Sequence, residues 1–392
     1  RPMANTPASQ AGLARGDRVV KINEESTLNM PLNEAVSRLR GPPGSHVAVW
    51  IVREGPGGWT DPRRFDLVRA VIHIESVKSR LLEGGVGYIK ITGFQGNTAE
   101  DMERALAQLH RQAGGQLHGV VLDLRDNPGG LLEQAVRVAD AFLTSGTIVT
   151  TASNDPAQRD EKFAQPEGTE PDYPMVVLIN GGSASASEIV AGALKNHDRA
   201  LIVGQRSFGK GSVQVLYDYE DGSALKLTIA QYLTPGDISI QGVGITPDIA
   251  IDPMTVDPED MDLTVDQAYL RESDLRAHLT TDRARTAEQP SVVLRYYLSK
   301  ESREQLREAG PDDDEENVHE DEVLTSFARD LLTHAHRSDR REMLTDAEPI
   351  IAHTRQTELD KAVAELGHVG VDWSLGADQG PSDCDVVVTT TT

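Results

Sequence analysis

Cysteine is almost absent from this chain, because Cys384 is the single one among 392 residues. An internal disulfide is therefore excluded, and cysteine usage does not indicate a redox compartment. Long apolar runs are missing as well: no stretch approaches the ~18 consecutive apolar residues that a membrane-spanning helix needs. The chain begins at Arg1 and shows no leader, so we expect it to be cut from a longer protein, and the missing signal does not indicate a location.

Basic residues are also scarce. Lysine and arginine together number 38 against 62 aspartates and glutamates, which gives a formal net charge of −24. Nucleic-acid phosphates require basic surfaces, so this balance argues against a nucleic-acid-binding protein. Hydrophobic residues make up 38% of the chain, which is enough for a core over a length that accommodates two or three domains.

Residues 1–71 are predicted to form a first domain of mixed helix and strand. Helical spacing covers 32–39, and strands are expected at 47–52 and 65–74. Residues 11–23 match the pattern A-G-L-x-x-G-D-x-V-x-x-I-N and so resemble a PDZ domain. This resemblance implies capture of a peptide's C-terminal carboxylate by strand addition, with the family's first strand and carboxylate-binding loop expected before Arg1. A small structural α+β domain is the alternative.

Residues 75–252 alternate between strand and helix signals, which predicts an α/β core with a largely parallel sheet. Strands are expected at 87–91, 120–124, 175–179 and 201–203, with helical spacing at 102–109, 132–139 and 189–194. The segments 213–216 and 225–233 are predicted to form a hairpin that closes the site.

The pattern changes after residue 252. Residues 253–372 are predicted to be an acidic, mostly helical region, with a solvated linker at 311–316 and helical spacing over 318–366. Residues 373–392 are typical of the start of a further β domain. The sequence assigns no function to either segment.

The chemistry-bearing residues cluster in two short segments. The apolar run 175–179 leads through a Gly-Gly turn to Ser185, which precedes a predicted helix. A serine at a strand-to-helix turn exposes its hydroxyl beside main-chain N–H groups that can hold a developing negative charge. Lys210, between two glycines, is the candidate base for this serine. A Ser–Lys pair would make the chain a hydrolase of the acyl-transfer type.

Lys210 can act as a base only when it is neutral, and burial among apolar groups favours the neutral form. No acidic residue lies between Arg199 and Tyr217 in the sequence to hold its charge. Gln214 lies four residues further on, and in an extended segment this even offset puts it on the same face as Lys210. Its neutral amide could orient the amine.

Two other interpretations of the serine segment remain open. The three serines of S-A-S-A-S-E could simply cap the helix together with Glu188. A Ser–His pair could instead use His197, the histidine closest in sequence to Ser185.

The combination of motifs is more specific than any single one. Together they resemble the carboxy-terminal processing peptidases, also called tail-specific proteases. The segments that carry the resemblance are 123–130 (D-L-R-D-N-P-G-G), 183–189, Gly204, 208–211, Gln214, 232–236 and 242–248. The resemblance covers about residues 1–252 and includes the order of a PDZ domain before the protease core.

The resemblance implies roles for individual residues. Ser185 would be the nucleophile, Lys210 the general base and Gln214 the third member. The oxyanion hole would use the N–H of Ala186 and a glycine N–H of the N-P-G-G turn, with Gly129 as first choice and Gly130 as second. Some members use an acidic residue eleven positions after the serine, where this chain has Asn196. Glu188 is expected to have only a minor structural role.

The resemblance also implies a crotonase/Clp-type α/β fold and a location in the bacterial envelope, periplasmic or exported. The expected partners are protein substrates recognised by unstructured C-terminal tails, and neither a metal nor an organic cofactor is expected. The alternative is a non-catalytic peptide-binding or scaffolding protein that uses the PDZ and core folds.

Overall fold

Two units make up the chain, Arg1–Glu75 and Ser76–Thr392. The computed structural model describes residues 2–3, 6–55, 57–72, 75–153, 155, 158–219, 223–255, 269–276, 279, 288–299 and 318–368. The linker predicted at 311–316 and the β segment predicted at 373–392 lie outside these residues.

The first unit is a small antiparallel sheet with a helix. Its described elements are α1 (Pro7–Gln10), β1 (Arg18–Ile22), β2 (Glu25–Ser26), α2 (Leu32–Leu39), β3 (His46–Arg53) and β4 (Trp59–Val68), with strand order β2-β1-β3-β4. Alternate residues of β3, namely Val47, Val49 and Ile51, form its buried core with Ile22. The last strand starts and ends earlier than the predicted 65–74.

An ion pair holds the Gly16-Asp17 segment of the PDZ-like pattern in place. Arg53 of β3 contacts both carboxylate oxygens of Asp17, with Nε–Oδ1 at 2.5 Å, and also donates to the carbonyl of Gly12. The hydrogen bond from Arg53 lowers the pKa of Asp17 despite its burial. The turn before β1 is thereby tied to the centre of the sheet.

The second unit is built on a sheet that has seven strands in the described residues, in the order β16-β15-β11-β10-β7-β6-β5. All neighbours are parallel except β5 and β6. The strands are β5 (Val77–Leu82), β6 (Val86–Ile91), β7 (Gly119–Asp123), β10 (Met175–Ile179), β11 (Leu201–Gly204), β15 (Ile249–Met254) and β16 (Val292–Tyr297). The predicted α/β class with a largely parallel sheet is confirmed.

Both faces of this sheet are buried, which explains the continuous apolar runs of its central strands. In β10, Met175, Val177 and Ile179 belong to one core, whereas Val176 and Leu178 belong to the other. The first core lies under α3 (Thr98–Gln112), α4 (Leu132–Asp140) and α5 (Ala186–Asn196).

The second core is completed by the C-terminal helices α6 (Val318–His334), α7 (Arg340–Asp346) and α8 (Glu348–His368). Phe327 and Leu331 of α6 pack against Val121 and Val176 of the sheet within this core. The sequence predicts helical spacing here but does not indicate that these helices cover the seven-stranded sheet. Strand β16 also lies within the region predicted to be mostly helical.

A second sheet flanks the first. It contains β8 (Thr147–Ala152), β9 (Arg159–Phe163), β12 (Ser212–Asp218), β13 (Ala224–Thr234) and β14 (Ile238–Ser239) among the described residues, in the order β12-β13-β8-β9 with β14 on β13. The antiparallel pair β12–β13 is the predicted hairpin, and it starts two residues after Lys210.

Candidate active site

Hydrogen bonds connect the turn after β10 to the loop after β7. The amide oxygen of Asn180 accepts from the main-chain N–H of Asp126 at 2.9 Å and of Gly182 at 3.0 Å. The N–H of Ala184 donates to the carbonyl of Asn127 at 3.0 Å. Because β7 and β10 are parallel neighbours, both loops leave the same edge of the sheet, and these hydrogen bonds hold them together.

The three serines of the S-A-S-A-S stretch differ in what their hydroxyls do. The buried hydroxyls of Ser183 and Ser187 donate to the main-chain carbonyls of Leu124 and Asn127, each at 2.8 Å. Ser185 is half-buried, and its hydroxyl donates to no acceptor in the described part of the chain. Of the three, Ser185 is the one whose proton is uncommitted.

Ser185 also has an unusual backbone conformation, with φ +55° and ψ −110°. Residues other than glycine rarely adopt a positive φ, and such strain costs about 1–3 kcal/mol. A serine on a sharp turn between a strand and a helix has its hydroxyl raised above the sheet edge. Ser185 stands at this position, between β10 and α5.

Glu188 connects the serine turn to the lysine loop. Its carboxylate is fully buried and accepts four hydrogen bonds. One oxygen accepts from the main-chain N–H of Ser185 at 2.8 Å and of Lys210 at 2.9 Å. The other accepts from the hydroxyl of Ser207 at 2.6 Å and the N–H of Gly209 at 2.7 Å. The backbones of Ser185 and Lys210 therefore meet at one oxygen atom.

Burial raises the pKa of Glu188 to about 7, even though the Ser207 hydroxyl and three main-chain N–H groups favour the ionised form. All four neighbours donate, so a carboxylate satisfies them and a protonated carboxyl cannot satisfy all. The expectation of a minor role underestimated this residue. The sequence signal was its position three residues after the serine, which also fits a helix cap.

The Lys210 loop is fixed along its length. The N–H of Phe208 donates to the carbonyl of Ser183 at 3.0 Å, and the N–H of Gly211 donates to the side chain of Gln241 at 2.9 Å. The Lys210 side chain is half-buried and forms no ion pair with a described residue. No hydrogen bond joins its amine to the Ser185 hydroxyl in the described part of the structure.

Gln214 is placed differently from the expectation of simple alternation. Lys210 precedes β12, which begins at Ser212, so it is not part of the strand whose alternation would set a common face. The register shift at Gln214 skips one residue of the partner strand β13. The Gln214 side chain is exposed, and its amide donates to the hydroxyl of Thr228 on β13 at 3.3 Å.

The glycine turn after β7 comes close to the serine. A Cβ on Gly129, which has φ +101°, would lie 3.0 Å from the Cβ of Ser185 and 3.0 Å from the nitrogen of Ala186. The Gly129 N–H donates to the side chain of Asn127 at 2.9 Å. Within the described residues, the N–H groups of Gly130 and Ala186 have no acceptor. Gly130, the second choice from sequence, is thus the glycine with an available donor.

A buried ion pair supports the start of this turn. Asp123, at the end of β7, and Arg125 are 0% and 2% exposed, with Nη2–Oδ2 at 2.5 Å. The hydroxyl of Tyr88 also donates to Asp123. Burial works against ionisation of Asp123, but the positive charge of Arg125 prevails and lowers its pKa.

The residues at the far end of α5 take no part in the site. The ring of His197 contacts the carbonyl of Thr147 at 2.7 Å, and Asn196 donates to Thr234 and Pro235. The eleven residues of α5 separate His197 from the serine by roughly 16 Å at 1.5 Å per residue. The structure therefore rules out the Ser–His pair.

Groups of three or more metal-ligating side chains do not occur among the described residues. In the same residues, no helix combines the length and apolar character needed to cross a membrane.

Two family models match this chain. Residues 85–251 match peptidase family S41, and residues 1–53 match the PDZ domain family. The first match contains the serine turn, the lysine loop and the glycine turn.

Two curated relatives are named as proteases that process carboxyl termini. A carboxy-terminal-processing protease of Bartonella bacilliformis is 44% identical over 283 residues, which cover 71% of this chain and 62% of that protein. A carboxyl-terminal-processing protease of Synechocystis sp. is 36% identical over 278 residues, covering 70% of this chain and 63% of that protein. The chain spans less than two thirds of the length of these relatives.

Among solved structures, the photosystem II D1 C-terminal processing protease is 33% identical to this chain. The superposition covers 66% of this chain and 67% of that one, with a TM-score of 0.42.

Proposed function

We propose that this chain, which belongs to peptidase family S41, is a serine endopeptidase that recognises the C-terminal tails of proteins. Ser185 is the nucleophile and Lys210 the general base. The observation that carries the proposal is the Glu188 carboxylate, which holds the main-chain nitrogens of both residues at one oxygen atom. The proton of the Ser185 hydroxyl, which no described acceptor takes, supports the same assignment, although Ser185 and Glu188 also form a capping box at the start of α5.

The chemistry follows from these positions. Neutral Lys210 takes the proton of the Ser185 hydroxyl as the oxygen attacks the peptide carbonyl. The N–H groups of Ala186 and Gly130 stabilise the oxyanion. Lys210 then protonates the leaving amine, and water hydrolyses the acyl-enzyme. The amine and hydroxyl must come into hydrogen-bonding contact in the substrate complex, where catalytic contacts commonly tighten.

Tail recognition is assigned to the first unit. PDZ domains bind the C-terminal carboxylate of an extended peptide by strand addition, and such binding would present a disordered tail to the core. A location in the bacterial envelope, periplasmic or exported, belongs to the proposal as what the family resemblance implies. Gln214 remains the proposed third member of the catalytic group. Its side-chain amide would have to leave the Thr228 hydroxyl and form a hydrogen bond with the Lys210 amine instead.

The test is cleavage of an unfolded reporter protein by the purified chain and by its Ser185→Ala and Lys210→Ala variants. Both substitutions are expected to reduce kcat by several orders of magnitude because each removes a reacting group. Ser145→Ala, at an exposed position, and Lys162→Ala, at a partly exposed one, remove the same groups elsewhere in the second unit and should leave the rate unchanged. Equal cleavage by all five chains would exclude Ser185 and Lys210 as the reacting residues, and no cleavage by any of them would leave the binding-protein alternative.

A further inference from the structure

A cavity of about 540 Å³ lies beside the candidate active site, at the same edge of the seven-stranded sheet. Gly181 and Arg206 line it, and they precede Ser185 and Lys210 by four residues each. The cavity and the candidate catalytic residues are therefore formed by the same two loops, those following β10 and β11.

Three arginines line this cavity: Arg206 after β11, Arg271 after β15, and Arg295 on β16. In the part of the chain that the structure describes, none of them forms an ion pair. Arg206 donates to the main-chain carbonyl of Glu288 at 3.0 Å. Asp252 is the one acidic residue in the lining. The cavity is thus positive in a chain with a net charge of −24.

The positive charges are only partly compensated within the cavity, because Asp252 interacts electrostatically with Arg271 and Arg295 and is one negative charge against three positive ones. Burial of Arg206 and its repulsion by Arg271 both lower the pKa of Arg206. A bound anion would offset both costs. The side chains of Gln205 and Gln289 also line the cavity and can donate hydrogen bonds to an anion.

We propose that this cavity binds a carboxylate group of the peptide substrate, either an acidic side chain or the terminal α-carboxylate. Identifying the ligand as a peptide rests on the proposed peptidase function, since the cavity shares its loops with Ser185 and Lys210. The planar fork of a guanidinium matches a carboxylate with two parallel hydrogen bonds, which favours this group over a neutral side chain. The negative charge of the whole chain disfavours a polyanion.

The test measures binding rather than cleavage, so that it does not depend on catalysis. The full chain carrying Ser185→Ala is titrated with fluorescein-labelled peptides of one sequence, containing either glutamate or glutamine and ending in either a free acid or an amide. Fluorescence anisotropy gives each Kd. Loss of a charge-assisted contact is expected to weaken binding by roughly tenfold, and the peptide that shows the loss identifies which carboxylate is bound.

The arginines are then removed with Arg206→Gln, Arg271→Gln and Arg295→Gln together. The preference for the carboxylate peptide should disappear, whereas Arg104→Gln, Arg337→Gln and Arg341→Gln together, an equal charge change on exposed residues outside the cavity, should retain it. Arg271→Gln and Arg295→Gln alone change exposed residues, so each tests the cavity if the triple variant does not fold.

Equal affinity for all peptides would overturn the proposal, as would a carboxylate preference that survives in the arginine variants and so belongs to another surface such as the PDZ domain. Failure of the proposed function has a different signature. In that case carboxylate binding depends on the arginines, but the chain with Ser185 intact does not cleave the reporter.

Discussion

At the scale of single residues, Glu188 organises the candidate site. Four donors converge on its carboxylate, and two of them are the main-chain nitrogens of Ser185 and Lys210. A substitution here acts on the backbones of the proposed nucleophile and the proposed base at once. Glu188 is therefore a positioning residue rather than a catalytic one.

Glu188→Gln keeps the size of the side chain but replaces one oxygen with a donor, so two of the four hydrogen bonds lose their acceptor. Each hydrogen bond to a charged group contributes about 1.5–3 kcal/mol, so we expect kcat to fall by at least about tenfold. In the unmodified chain, activity should rise as pH increases through about 7, when the carboxyl ionises. A pH–rate profile of both chains checks this, and an identical acidic limb in the variant would contradict it.

Stability should change with pH in the opposite direction. Because burial raises the pKa of Glu188 from 4.5 to about 7, the folded chain holds this proton more tightly than the unfolded chain. Its contribution to stability is present below 4.5 and is lost as pH rises through about 7. Thermal unfolding between these pH values should show the unmodified chain losing stability relative to Glu188→Gln; parallel curves would exclude this linkage.

Gly129→Ala should damage the site by crowding. The new Cβ would lie 2.8 Å from the carbonyl oxygen of Ala184 and 3.0 Å from the Cβ of Ser185, at a φ of +101°. We expect a loss of about 1–3 kcal/mol in stability from strain, together with a large loss of activity. Gly114→Ala, with a φ of +83° and open space around it, carries the backbone strain alone. Comparable activity in the two variants would argue against crowding.

Sequence patterns identified Ser185 and Lys210 as candidates. They did not show which hydrogen bonds set these residues apart from their neighbours. Whether a hydroxyl is committed depends on carbonyls such as those of Leu124 and Asn127, which lie about sixty residues away in the chain. The contacts of Glu188 were hidden in the same way, because its partners Ser207 and Gly209 lie about twenty residues further on, in the loop after β11. The motifs specify which residue types are present, whereas the contacts among them can be seen only in the folded structure.

At the scale of elements, helix α6 shows that the C-terminal region belongs to the core of the second unit. Its apolar side chains cover one face of the sheet whose other face lies under α5. Removing this cover would expose the strands that position the serine turn.

Leu331→Ala should therefore destabilise the whole second unit. The side chain is 4% exposed in the core beneath α6, and such truncations cost about 2–5 kcal/mol. Leu131→Ala removes the same atoms from a side chain that is 53% exposed and should cost much less. Urea unfolding gives both values. Equal midpoints would show that α6 does not support the sheet.

The elements differ in how well the sequence indicated them. Strands β7, β10 and β11 were predicted because burial on two faces requires continuous apolar runs. Strand β9, with the sequence R-D-E-K-F, has no such run and pairs through its backbone at a sheet edge. Strand β16, with the sequence V-V-L-R-Y-Y, is rich in branched and aromatic residues, but the polar and acidic composition of the region around it favoured a helical interpretation.

At the scale of the whole molecule, the net charge of −24 favours solubility but destabilises the folded state through self-repulsion. Raising the salt concentration from about 0.01 M to about 0.15 M shortens the Debye length from about 30 Å to about 8 Å. We therefore expect Tm to increase over this range in sodium chloride, as calorimetry would show. A decrease would mean that screening of ion pairs outweighs relief of the repulsion.

The seven-stranded sheet, buried on both faces, has a kinetic consequence for the loops at its edge. Amide protons in β7, β10 and β11 can exchange with deuterium only when the helices on both sides open together, so they should be the slowest to exchange. The β12–β13 hairpin, with its exposed Leu216, Leu227 and Ile229, should exchange much sooner. We therefore expect the candidate nucleophile to follow the slowest-exchanging part of the unit, and the candidate base to precede a strand that opens much more often.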